Sequence, residues 1–160
     1  MSSENLSPHG RVLTRPQRAA AYAALGVAGE VAFTAARDLG AARRNGWRLQ
    51  GHSYLWMLPI YGSIAVGYEP LRDRLRSRAP WQRASVYALG IFAAEYAFGR
   101  AIAGLTGAVP WDYTEHSRFA VNGAIRLDYA PVWAVAGLLL EPITDAARAV
   151  SVPTRPRSSV

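Results

Sequence analysis

The 160-residue chain contains no cysteine and no lysine. The first absence excludes disulfides, thiolate zinc sites, iron–sulfur clusters and thiol nucleophiles. The second makes all 18 basic residues arginine, which stays charged at any pH a folded protein meets. Charge is scarce as well: charged residues are 18% of the chain while apolar ones are 51%, against roughly 25% charged in an average soluble domain. No Gly-rich phosphate loop, Walker motif, nucleophile elbow or fixed-period repeat is present, so no haem or nucleotide cofactor is implied. The histidines His9, His52 and His116 share no metal-ligand spacing and read as solvated or capping residues. The length suits one domain.

What the chain does have is a net charge of +7, unevenly placed. A nucleic-acid binder would spread arginine over one face of a soluble fold. Here the arginines cluster between long apolar runs at 19–36, 54–68, 84–105 and 129–143. Each run approaches the ~20 residues a helix needs to cross a bilayer. The apolar residues do not keep to one stripe, which argues against a soluble helical bundle. We therefore expect an all-α, polytopic membrane protein of four transmembrane helices and no nucleic-acid partner. Residues 18–150 form the membrane domain, with disordered tails at 1–17 and 151–160. The polar first eighteen residues do not resemble a cleavable signal peptide. Eleven arginines lie in the N-terminal segment, the second loop and the C-terminal tail, against six in the first and third loops. The positive-inside bias then puts both termini in the cytoplasm.

Each apolar run carries one glutamate within it or at its edge: Glu30, Glu69, Glu95 and Glu141. A carboxylate at mid-bilayer costs at least ~2.5–3.5 kcal/mol, so these four are the candidate site. Tyr22, Gly26, Glu30, Thr34 and Arg37 recur at i+3 or i+4, as do Gly137, Glu141, Thr144 and Arg148 with Asp145 alongside. Both stripes should face the bundle interior. Arg100 and Arg37 are the candidate counter-charges. Inward glutamates could hold a divalent cation through oxygen ligands, with Glu30, Glu95 and Glu141 the candidate set. No span glutamate begins a Glu-x-x-His, which argues against a di-iron bundle. A glutamate could also carry a proton or act as a general acid on a lipid or isoprenoid. The plainer alternative is that Glu and Arg pair across helices and only fix packing.

Two loop segments are distinctive. Gly51 to Gly62 reads GHSYLWMLPIYG, and Pro110 opens a Trp-Asp-Tyr block followed by Phe119, Asn122, Gly123, Tyr129 and Trp133. Trp56, Trp111, Tyr113, Tyr129 and Trp133 suit an aromatic belt at a membrane–water interface. Asp112 could cap a short turn and Gly123 permits a tight one. Together with Tyr61, these residues form an expected outer lid, a short interfacial or re-entrant segment before the last helix.

Taken together, the segments resemble a family of small membrane proteins that includes Transmembrane protein 229 and bacterial ABC-transporter type IV permeases (CmpB-like). The matching residues are Gly26 and Glu30 with Phe33 and Thr34; Ser53, Trp56, Met57, Ile60, Tyr61 and Gly62; Glu69; Glu95; then Trp111, Asp112, Tyr113, Thr114, Phe119, Gly123, Trp133 and Glu141. Thr114 stands where the family usually has Ser. The resemblance implies transport, although four spans are few for an ordinary ABC permease. The leading expectation is a membrane-embedded binding or transport component whose polar site is built from the four glutamates. It would work as a homo-oligomer or with a partner membrane subunit. A small membrane enzyme and a structural subunit of a larger complex are the alternatives.

Overall fold

The computed structural model describes residues 10–37, 39–44 and 47–153. The chain is mostly helical. Helix α1 (Arg15–Arg37) opens where the Gln17 side-chain oxygen accepts both the backbone N–H and the hydroxyl of Thr14, at 2.9 and 3.0 Å. Pro16 sits in the first turn, where a missing N–H costs nothing. A short α2 (Leu39–Arg44) follows, then α3 (Met57–Gly62), a 3-10 turn at Ser63–Ala65 and α4 (Tyr68–Leu75). The longest helix, α5 (Pro80–Thr106), begins on a proline and ends at Gly107, whose φ of +87° stops the helix in the left-handed region. The last helix is α6 (Ala130–Ala149).

Two small antiparallel pairings complete the architecture. Strand β1 (Gly10–Val12) pairs with β4 (Ser151–Pro153), and β2 (Ala120–Val121) with β3 (Ile125–Arg126). The first pairing holds the start and end of the described chain together at one end of the molecule, and it corrects the tail boundaries. Residues 10–17 and 151–153, expected in disordered tails, form β1, the α1 entry and β4. Each short strand supplies the hydrogen-bond partners the other lacks. Residues 1–9 and 154–160, the rest of the expected tails, lie outside the described residues, as do His9, Arg155 and Arg157.

The second apolar run also departs from expectation, because it is not one uninterrupted α-helix. After Gly62 the ladder tightens, and the Ser63 carbonyl accepts from both Val66 and Gly67, at 3.0 and 2.8 Å. Regular helix resumes at Tyr68, and α4 then carries Glu69, Arg72, Asp73 and Arg74. Gly67 marks the change of geometry and has no side chain to pack there.

Helix α1 packs along α3, and α5 along α6. Glycine allows both approaches: a Cβ at Gly26 would enter the Tyr61 ring, and one at Gly137 would overlap Tyr87. The buried core is aromatic and polar, with Tyr22, Tyr68, Tyr87 and Phe92 beside Glu69, Arg72 and Thr144. The Tyr68 and Tyr87 rings lie 4.9 Å apart, and the Tyr68 hydroxyl donates to the Gly137 carbonyl at 2.5 Å. Large apolar side chains point the other way: Leu25, Phe33, Leu89, Leu105, Val132 and Leu139 are all exposed. Polar inside and apolar outside is the reverse of a water-soluble bundle. Among the described residues, α1 and α5, at 23 and 27 residues, are the helices long and apolar enough to cross a membrane.

Candidate functional site

The four glutamates fall into two kinds. Glu69 and Glu141 are clasped by arginine. The Glu69 side chain is 1% exposed and accepts from Arg18 Nε and Nη2 at 2.7 and 2.8 Å, from the Tyr22 hydroxyl at 2.7 Å and from Arg148 Nη2 at 3.3 Å. Arg148 continues to Asp73, at 2.7 and 3.0 Å, and Arg72 pairs with Asp145. The clasp joins the start of α1, the middle of α4 and the end of α6. The Arg148 guanidinium lowers the Asp73 pKa below its ordinary value. On α6, Glu141 accepts from the Tyr87 hydroxyl at 2.8 Å and from Arg83 Nη2 at 3.2 Å.

Glu30 and Glu95 have neutral partners instead. Glu30 accepts from the Ser53 hydroxyl at 2.9 Å and more weakly from the Tyr61 hydroxyl at 3.4 Å. Glu95 accepts from Trp133 Nε1 at 3.0 Å. The polar stripe of α1 positions the first of these: Tyr22 reaches Glu69, Gly26 faces Tyr61, Glu30 meets Ser53, and the Thr34 hydroxyl bonds the His52 backbone on both sides. Four members of the stripe at helical spacing therefore face one neighbouring segment.

The segment between α5 and α6 folds over this region. Asp112 Oδ1 accepts from the Thr114 amide at 2.8 Å and its hydroxyl at 2.5 Å, closing a side-chain turn that lowers the Asp112 pKa. Between β2 and β3, Asn122 and Gly123 take φ of +50° and +68°, which is the backbone of the tightest hairpin turns. A Cβ at Gly123 would strike the Asp112 carboxylate. Trp111 Nε1 donates to the Ala124 carbonyl at 2.9 Å, and Asn122 reaches the Tyr96 hydroxyl on α5 at 2.9 Å. Tyr113, Tyr129 and Trp133 form an aromatic series, with centroids 6.2 and 5.7 Å apart, that leads from this segment to Trp133, the donor to Glu95. Burial raises the Tyr113 pKa above its ordinary value, and the Glu95 charge adds to the effect.

Several expected members do not join. Arg100 is exposed on α5, and no carboxylate among the described residues pairs with it. It lies six residues before the helix end, close enough for a long side chain to reach an interface. Arg37 is also exposed and lies 5.9 Å from the Phe33 ring rather than beside a glutamate. Trp56 is half exposed at the start of α3. The divalent-cation set is not assembled, since among the described residues no three carboxylate or imidazole side chains converge. Conversely, sequence reasoning allowed for Glu–Arg pairing and put Arg148 on the inward stripe of α6, but did not assign Arg18 or Arg83 to Glu69 or Glu141. Arg18, Arg83 and Arg148 sit near the ends of helices, and the positive-inside count treats such arginines only as topology signals.

Residues 20–153 match the family described as "Putative ABC-transporter type IV", and the chain belongs to that family. No solved structure matches it.

Proposed function

We propose, from this family membership, that the chain is a four-helix integral membrane component of a transport system. Both termini face the cytoplasm, and the intramembrane polar site consists of Glu30 and Glu95 with Ser53, Tyr61 and Trp133. Helices α1, α5 and α6, with the path through α3 at 54–68, are the four spans. The membrane domain covers residues 18–150. The segment from Pro110 to Tyr129 is the outer lid.

One observation carries this reading. Glu69 and Glu141 are neutralised by arginines, whereas Glu30 and Glu95 are held by hydroxyl and indole donors that bring no charge. An intramembrane carboxyl without a counter-ion is costly unless it is protonated or meets a cation. Depth agrees with that assignment. Glu30 follows Arg18 by 12 residues and Glu95 follows Arg83 by 12, about 18 Å of helix from the arginine-rich end. Such a pair, with Tyr61, Tyr113 and Trp133 nearby, suits a proton or a cationic group.

The exposed apolar face of α6, where Pro131, Val132, Val135, Ala136 and Leu139 line a shallow groove, faces lipid or a partner membrane subunit. The test is native mass spectrometry of the detergent-purified protein beside Glu95→Gln, with metal analysis of both. A bound cation or organic molecule retained by the wild type and lost from a stably folded variant is expected. An unliganded wild type, with a variant indistinguishable from it, would return Glu95 to a packing role.

A further inference from the structure

At the opposite end from the lid, Arg72, Arg76, Arg83 and Glu141 line a cavity of about 200 Å³, much larger than one water requires. Among the described residues, two guanidinium nitrogens beside it have no hydrogen-bond acceptor, Arg72 Nε and Arg72 Nη1. Arg72 is 6% exposed. Its Nη2 is committed to Asp145, and its Nη1 stands 3.6 Å from Asp73, beyond hydrogen-bond length. Arg83 Nη1 donates to the Arg78 carbonyl at 3.0 Å and Nη2 to Glu141 at 3.2 Å. Its Nε lies 2.9 Å from Glu141 Oε1, so Glu141 holds Arg83 at two points.

Arginine cannot shed its proton, so buried guanidinium donors without acceptors are costly to keep. A protein tolerates them where something else accepts. Glu141 and Asp145 together balance two of the three arginines that line or enter the cavity, and Arg76 stands exposed at the rim. The arrangement is an excess of planar N–H forks around a cavity. That chemistry matches a phosphate group, whose oxygens accept from two forks at once.

We propose that this cavity is an anion site that binds a phosphate group through Arg72, Arg76 and Arg83. The phosphate belongs either to a free anion or to the headgroup of an anionic phospholipid. The site is distinct from Glu30 and Glu95 and does not depend on the transport reading.

The full chain in a maltoside detergent, which carries no phosphate, would be titrated with inorganic phosphate at constant ionic strength by calorimetry. Saturable binding is expected. It should weaken at least about tenfold in Arg76→Gln, the loss of one charge-assisted contact. Arg76 is exposed and makes no hydrogen bond or ion pair among the described residues, so the thermal midpoint of that variant without phosphate should stay close to wild type. Arg72→Lys, which keeps the charge against Asp145 but loses the Nε donor, should weaken binding too. Adding phosphatidylglycerol identifies the source. If it abolishes phosphate binding, the headgroup occupies the site; if binding persists, a free anion is the ligand. No saturable phosphate binding to wild type, or equal affinity in both variants, would overturn the proposal.

Discussion

Replacing Glu69 by Gln removes the charge from a side chain that accepts four hydrogen bonds while keeping its volume. Glu69 accepts two bonds from Arg18, one from Tyr22 and one from Arg148, and its side chain is 1% exposed. Breaking a buried pair by removing one partner costs about 3–5 kcal/mol, because the other charge is left uncompensated. Here the lower end applies. Arg148 keeps Asp73, and Arg18 keeps the Leu13 carbonyl at 2.8 Å. For a chain of this size 1 kcal/mol moves the midpoint by roughly 2–4 °C, so a loss of about 3 kcal/mol lowers it by roughly 6–12 °C. Thermal unfolding in detergent, followed by circular dichroism, measures this directly. The Arg18→Gln/Glu69→Gln double variant should lose less than the sum of the singles, since the two share one interaction. A Glu69→Gln midpoint within about 2 °C of wild type would refute the clasp, because even the weakest estimate above exceeds that.

Other perturbations separate the remaining parts. Gly137→Ala should destabilise by about 1–3 kcal/mol, because the new methyl overlaps Tyr87 and the close α5–α6 contact must open; the same unfolding assay reads it. Trp133→Phe keeps the ring but removes the donor to Glu95, so retention of any ligand at Glu95 should fall in native mass spectra while the fold persists. In the lid, Arg126 pairs with Asp128 and pushes its pKa down from 3.8 to about 2. A carboxylate with a depressed folded pKa contributes stability that is full above its unfolded pKa and lost as pH falls through the folded one. Lid order, followed by tryptophan fluorescence near Trp111, should therefore hold down to pH 3.8 and fade as pH approaches about 2. Asp128→Asn should shrink that transition, leaving the part that Asp112, also lowered by its Thr114 hydrogen bonds, contributes.

Much of this arrangement was legible in the chain because helical periodicity is local. Spacing alone put Tyr22, Gly26, Glu30 and Thr34 on one face of α1, and all four meet the neighbouring segments. The Trp-Asp-Tyr block and Gly123 marked the folded segment between α5 and α6, and the Asn122–Gly123 pair carries a hairpin signal that points to β2 and β3. Long-range pairing was not legible. Nothing local tells Arg18 that its carboxylate lies 51 positions away on α4, or Arg83 that its own lies 58 away on α6. Strands as short as β1 and β4 have no pattern of their own, and each forms only because the other end of the chain returns to it. Arg100, five residues after Glu95 and so off its face, was expected to balance a carboxylate on another helix, yet it is exposed on α5 and pairs with none among the described residues.

The sharpest test of the division among the glutamates is carbodiimide labelling of the protein in lipid bilayers, read by peptide mass spectrometry. A hydrophobic carbodiimide attacks protonated carboxyls and spares those neutralised by a guanidinium. Modification should fall on Glu95, which meets only the Trp133 indole, with Glu69 shielded by Arg18 and Arg148 and Glu141 by Arg83. Labelling of Glu69 or Glu141 at the same rate as Glu95 in metal-free protein would contradict the division between clasped and unclasped carboxyls.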